Sequence, residues 1–211
     1  MGVRIKIGYF LEDRGHEIFI KAIVSRLAVE KGYQLGDWID DVRSAVGGGS
    51  IKEYKIFLKN LSKIKENFPF DILIVASDGN CKGYLNKRRQ LLGYAEKSKI
   101  THLDLERFVF AIPDPHIEKW YMNDPKGFNK AVGSGVLPTL PSYKCEKGFY
   151  KKVMRDAFAS SKITPQFGGY EYGKRIVEEL DIYEAGKADN SFKHFCDDVG
   201  NVLHKLRGEL Y

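Results

Sequence analysis

The stretch ILIVASDGN, residues 72–80, decides the reading of the fold. It opens as an unbroken apolar run of strand length, and a strand with no polar alternation is buried on both faces, the mark of a parallel sheet covered by helices. The run then stops on Asp78 and turns. IKIGYFLED (residues 5–13) does the same on Glu12, after Val3, Ile5, Ile7 and Tyr9 alternate and Phe10 and Leu11 make its end fully apolar. RFVFAIPD (107–114) reads as a further short buried strand, leading into Asp114 and then Glu118.

Helical periodicity fills the intervals. HEIFIKAIVSRLAVEKG (16–32) carries an apolar stripe of Ile18, Ile20, Ala22, Ile23, Leu27 and Val29, with Gly32 as its stop. After GGGS (47–50), Ser50 reads as an N-cap with Glu53 at the capping-box position, and Tyr54, Phe57, Leu58, Leu61 and Ile64 share one face of a helix to about Glu66. GYLNKRRQLLGYAEKSK is helical, and IEKWYMND begins a short helix or turn. The order β-α-(short strand or loop)-α-β-α-β-α predicts an α/β fold, a mainly parallel Rossmann-like sheet flanked by helices. Residues 125–150, with Pro125, Pro138 and Pro141 among several glycines, read as a long loop or linker, followed by helices at 148–160, 170–180 and 190–208. The expected division is an α/β core over 1–125 and a C-terminal helical extension over 126–211, packed on the core.

The 211 residues, 43% hydrophobic and 29% charged, suffice for one domain with a full core or one with an appended lobe. No window approaches 18 uninterrupted apolar residues, so no membrane span is expected. The N-terminus reaches a carboxylate before a signal peptide's apolar region could form, and Gly2 lacks the Ser or Thr of a myristoylation signal. Cys81, Cys145 and Cys196 are odd in number, far apart and fit no zinc spacing; they read as reduced thiols of a cytoplasmic protein. Net charge is +6, with basic residues clustered in NKRRQ (86–90), YKCEKGFYKKVMR (143–155) and HKLRGEL (204–210). Any one cluster can be a solvated helix face; together they favour a polyanionic partner.

Ligands of open α/β sheets bind outside the carboxyl ends of the strands. Parallel strands ending on Glu12, Asp78 and, past the third, Asp114 and Glu118 would bring acids distant in sequence to one edge. Each acid alone can be explained as a turn or cap residue. Together they form a cluster whose repulsion needs a compensating cation. Oxygen donors without a His-Cys pattern suit Mg²⁺ or Mn²⁺, and two such ions can activate water in phosphodiester cleavage. Lys82, Lys87, Arg88 and Arg89 follow the Asp78 turn, where a nucleic-acid backbone would enter. His16, at a helix start, reads as a cap residue, with phosphate contact or proton shuttling as its functional alternative. His116, between Asp114 and Glu118, could reach the site, and Trp120 reads as core. Neither GGGS nor GSGVLP (133–138) is a P-loop, so ATP hydrolysis would have to come from a partner.

LEDRGHE (11–17) resembles the first motif of Toprim domains, and IVASDGN sits where that family has Asp-x-Asp. IPDPHIEKWYMND resembles the Glu-x-Trp-x-x-x-Asp segment of small Toprim-like proteins found near phage-defence genes and related to overcoming-lysogenization-defect nucleases. GGGSIKEY and ADNSFKHFCDDV are also similar to that branch. Two positions depart from the pattern: Asp13 replaces the usual Gly, and Asn80 stands for the second Asp. The resemblance implies a metal-dependent nuclease acting on DNA or RNA, with a partner ATPase or a phage-defence setting. Glu12 would be the acid near the attacking or leaving oxygen, Asp78 the principal metal ligand, Asn80 a weaker one, Glu118 the completing ligand with Asp114 beside it, and Glu17 either a residue behind them or an exposed first-turn acid favoured by the helix dipole. The alternative is a non-catalytic member that binds nucleic acid or a partner through a degenerate acidic site. A third reading, from a different class, is a phosphotransferase or phosphatase on small phosphorylated molecules.

Overall fold

The Ile72–Ala76 run forms the central strand of a parallel sheet in the computed structural model, which describes residues 3–35, 51–63, 70–98, 100–101, 105–133, 137–141, 143–161 and 163–208. The elements run β1 (Val3–Ile5), β2 (Ile7–Phe10), α1 (Arg14–Glu30), β3 (Tyr33–Leu35), α2 (Ile51–Leu61), β4 (Ile72–Ala76), α3 (Tyr84–Lys97), β5 (Phe108–Ala111), α4 (Ile117–Tyr121), α5 (Pro125–Val132), α6 (Phe149–Ala159), a 3₁₀ turn (Tyr170–Tyr172), α7 (Gly173–Glu179), α8 (Ile182–Ala188) and α9 (Asn190–Gly208). Among the described residues all strand pairings are parallel, in the orders β1-β3 and β2-β4-β5. The first strand is broken at Lys6, whose N–H donates to Asp71 Oδ2 at 2.7 Å while its carbonyl accepts from Asp71 N at 2.8 Å. From this strand the chain crosses to β3 on one side and to β4 on the other. That reversal is a switch point, and the gap outside the ends of β2 and β4 is where such sheets place ligands.

The apolar β4 run needs two covered faces, and it has them. Ile72, Ile74 and Ala76 join Tyr9, Val109 and Ala111 in a cluster under α1, α7 and α9, whereas Leu73 and Val75 join Phe10, Phe108 and Phe110 under Tyr54 and Leu58 of α2 and Leu91 of α3. Side chains alternate between faces along a strand, so a run without polar residues feeds both layers. Each such aliphatic residue contributes about 1.5–3 kcal/mol by leaving water.

On α1 the buried apolar side chains are Phe19, Ile20, Ile23, Val24 and Ala28, while Val29 is exposed; the stripe expected from sequence is rotated by about one position. On α2 Tyr54, Leu58 and Leu61 are buried as the periodicity suggests; Ser50 and Ile64 lie outside the described residues. The segment read as a linker contains α5. Its signals are local: Asp124 caps it by accepting from Lys126 N at 3.1 Å, Pro125 occupies the first turn, and Gly133 ends it at φ 65°. The prolines and glycines mark the ends of a helix rather than a loop. Helix α8, capped by Asp181, is also additional to the sequence reading.

The helices after residue 125 share one core cluster with the sheet. Trp120 is fully buried, with ring centroids 5.2 Å from Phe192 and 5.5 Å from Phe195 of α9, and Phe19 of α1 lies 6.3 Å from Phe192. Arg26 of α1 donates through Nη1 to Val177 O and Leu180 O, both at 2.7 Å, satisfying carbonyls at the end of α7. No helix among the described residues is long and apolar enough to cross a membrane.

Candidate functional site

The ladder between β4 and β5 continues into the loops that follow them. Gly79 N donates to Pro113 O at 2.7 Å and Asn80 N to Pro115 O at 3.0 Å. This pins the turn after β4 against the start of α4 and aims Asp78 at it. Asp78 Oδ1 accepts from Ile117 N at 2.9 Å, and Oδ2 meets His116 Nδ1 at 3.1 Å. From the neighbouring strand, Glu12 Oε2 accepts from Ser77 Oγ and Asp78 N, both at 2.8 Å. Both bonds fall on Oε2; among the described residues none is placed on Glu12 Oε1.

Beneath these groups lies His16, which is completely buried. Its Nδ1 donates to Asp13 Oδ1 at 2.8 Å, and its Nε2 stands 3.2 Å from Asp78 Oδ1, an ion-pair separation without hydrogen-bond alignment. Asp13 is also the N-cap of α1, accepting from His16 N at 3.0 Å. Burial opposes a charge on His16, but carboxylates on both sides outweigh it and push its pKa up to about 10. Burial likewise favours neutral Asp13 and Asp78. The partner histidines prevail, taking Asp13 down to about 2 and lowering Asp78. His16 is therefore an imidazolium set inside a nest of acids.

His116 is more open, with its side chain 17% exposed. The hydrogen bond to Asp78 raises its pKa against partial burial, helped by the fields of Glu118 and Glu12. Glu118 is buried and accepts from Tyr170 OH at 2.5 Å. Gly15 makes room for that tyrosine: a Cβ there would stand 2.9 Å from the Tyr170 ring. Lys87 is buried on α3; desolvation lowers its pKa, opposed by Glu12 and Asp78 and reinforced by neighbouring Lys82. Glu12 thus meets the Asp78 turn, Asp78 holds His116, and Glu12 and Glu118 both act on that ring, while Lys87 feels Glu12, Asp78 and Lys82.

The remaining candidates lie elsewhere. Asn80 is exposed and in the left-handed region (φ 47°), where Asn is tolerated better than most residues, and its Nδ2 donates to Asp78 O at 3.3 Å. Asp114 packs against Gly79 and accepts weakly from Tyr143 OH at 3.4 Å; burial raises its pKa, and so does Asp189. Glu17 pairs with Lys21 along α1 at 3.0 Å. Arg88 sits over the Phe110 ring at 5.7 Å and lines a groove with Asp198 and Lys205, away from the acids. Arg89 is exposed and donates to Asn86 Oδ1 at 3.3 Å.

The cysteine reading is corrected. Cys81 and Cys145 are joined in a disulfide with Cα atoms 5.7 Å apart, and Cys196 is free. Spacing in the sequence gave no sign of the pairing because the two lie 64 residues apart. The cysteines therefore give no ground for assigning a reducing compartment.

Comparison with known proteins decides nothing further. No family model, no curated protein and no solved structure matches this chain. The Toprim likeness rests on the motifs quoted above.

The donor set does not fit Mg²⁺ or Mn²⁺ in its present arrangement. Such ions take about six oxygens in near-octahedral order. Here both Asp78 oxygens are engaged by Ile117 N and His116, Asn80 is turned onto a backbone carbonyl, and Asp114 is held apart. Among the described residues no group of three or more His, Cys, Asp or Glu could hold a metal ion. The repulsion among the acids, which argued for a bound cation, is relieved by the buried His16.

Proposed function

We propose that the protein is a phosphodiester hydrolase of nuclease type, acting on DNA or RNA, with His116 as its proton donor. The observation that carries this reading is the Asp78–His116 pair at the carboxyl edge of the sheet, 3.1 Å between Oδ2 and Nδ1. A carboxylate on Nδ1 orients the ring and leaves Nε2 for substrate. The same carboxylate raises the ring's pKa and so favours the imidazolium. Nε2–H then gives its proton to the leaving oxygen as the P–O bond breaks. Water forms the new P–O bond, and Glu12 takes the water's proton through Oε1. Lys82 and Lys87 add positive charge for the phosphate. His16 balances the acids from below, so the reaction runs on protein groups. The net charge of +6 and the Toprim resemblance support a nucleic-acid substrate; a phage-defence setting and a partner ATPase come from the resemblance alone.

The test is cleavage of labelled single- and double-stranded oligonucleotides by wild type, His116→Ala and Asp78→Asn, with binding measured in parallel. Loss of general acid catalysis is expected to slow His116→Ala by about 10²–10⁴-fold while binding persists. Equal cleavage by wild type and His116→Ala would overturn the assignment. The neutral Asn80, turned onto Asp78 O, favours a second reading in which the site binds nucleic acid without cutting it. Binding without cleavage by wild type on every substrate would select that reading.

A further inference from the structure

The disulfide joins the mouth of the acidic site to a lysine-rich segment of the chain. Cys81 follows Asn80 in the turn after Asp78, and Cys145 lies within YKCEKGFYKK. A second contact holds the same segment, Tyr143 OH to Asp114 Oδ1 at 3.4 Å, and Lys119 Nζ lies 5.9 Å from the Tyr143 ring. Lys144 and Lys147 flank Cys145, and Lys151 and Lys152 follow on the first turns of α6; all four are exposed. Lys144 Nζ lies 5.9 Å from the Phe149 ring, a contact that leaves its charge intact. Among the described residues none of these four lysines is in a salt bridge, and Glu146 is the opposing charge among them. On the other side of the bridge Lys82 is adjacent to Cys81 and beside Lys87.

Four unpaired cations on one short segment repel one another and gain from a polyanion. Placed anywhere else they would be a solvated face. The disulfide instead makes them continuous with the cations of the site. We infer that Lys144, Lys147, Lys151 and Lys152 form, with Lys82, a track for the phosphate backbone of a nucleic acid, docked onto the site by the Cys81–Cys145 bridge. This rests on the nucleic-acid reading above and adds the path that the strand takes.

The test uses the full chain with the disulfide formed. Binding of fluorescein-labelled single-stranded and duplex oligonucleotides is measured by anisotropy across a salt series. Variants are Lys144→Ala/Lys147→Ala/Lys151→Ala, Cys81→Ser/Cys145→Ser, and Lys187→Ala/Lys193→Ala on the distant α8 and α9. Each phosphate contact contributes about 0.7 (single strand) to 0.9 (duplex) to the slope of log K against log salt. The triple variant should therefore flatten the slope by about 2 to 3. The cysteine variant should bind more weakly than wild type although its charge is unchanged, and the distant pair should bind as wild type. An unchanged slope in the triple variant, with wild type binding, overturns the track and leaves the proposed function standing. Wild-type affinity in a folded cysteine variant overturns the docking role of the bridge. The lysine variants, all at exposed positions, test the track even where the cysteine variant fails to fold. No wild-type binding at low salt removes the nucleic-acid reading and the track with it.

Discussion

Replacing His16 by Gln tests the buried cation that holds the acidic cluster together. His16 is fully buried between Asp13 and Asp78, and its pKa is pushed up to about 10 from 6.5. Between those two values the folded protein holds a proton that the unfolded chain releases. Stability contributed by this group is then fully present below about pH 6.5 and falls as pH rises through the folded pKa, by about 1.4 kcal/mol per pH unit. Roughly 3 kcal/mol should vanish between about pH 7 and pH 9, and the full span corresponds to about 5 kcal/mol. Asp13 and Asp78 report the same interaction from the other side, so it counts once. Gln can donate a hydrogen bond but carries no charge, and at neutral pH His16→Gln should cost about 3–5 kcal/mol by taking the buried cation from between Asp13 and half-buried Asp78. The assay is urea denaturation of wild type and variant at several pH values in that window, followed by tryptophan fluorescence. His116 shares Asp78 with His16 and shifts with it, so the same pair is compared again in a His116→Ala background to isolate His16. Its expected signature is a gap that narrows as pH rises. A gap that stays constant, or a wild-type stability flat over the window, would refute the imidazolium.

Other perturbations have equally definite outcomes. Lys119→Ala should cost about 3–5 kcal/mol in denaturant melts, because Lys119 Nζ pairs at 2.6 Å with Asp189, which is only 2% exposed and would lose its cation. A loss below about 0.5 kcal/mol would show that Ser191 and Phe192 N suffice for that carboxylate. Gly15→Ala should cost about 1–3 kcal/mol by driving a methyl against the Tyr170 ring, and the cost should largely disappear in a Tyr170→Ala background; equal cost in both backgrounds would remove the steric account. Ile74→Ala, at the centre of the sheet, should cost about 2–5 kcal/mol in the same melts.

The sheet was readable because its strands are buried on both faces. An unbroken run such as Ile72–Ala76 admits few interpretations, and the acids at the strand ends follow from parallel topology. The approach of Glu12 to Asp78 was readable in the same way. What those acids contact was not. His16 looks like a cap residue because its backbone does meet Asp13; nothing in a local pattern announces that its ring reaches Asp78, just past β4. Tyr170 reaches Glu118 from a segment 52 residues away, and the disulfide spans 64, distances over which periodicity carries no information. The basic run 86–90 was legible as charge but not as direction. A helix sends Lys87 inward to Glu12 and Arg88 to Phe110 and Asp198, so adjacent cations serve different surfaces. The expectation of a bound divalent ion rested on repulsion among acids; no local pattern showed that the buried His16 ring stands among them.

The most direct test of the proposed chemistry is the single-turnover rate of oligonucleotide cleavage, measured against pH in excess EDTA. Cleavage is expected to persist in the chelator and to decline on the alkaline side as His116, its pKa raised by Asp78, loses its proton. That decline should be absent from the residual rate of His116→Ala. Cleavage that stops in EDTA, returns with added Mn²⁺ and is indifferent to His116→Ala would contradict it.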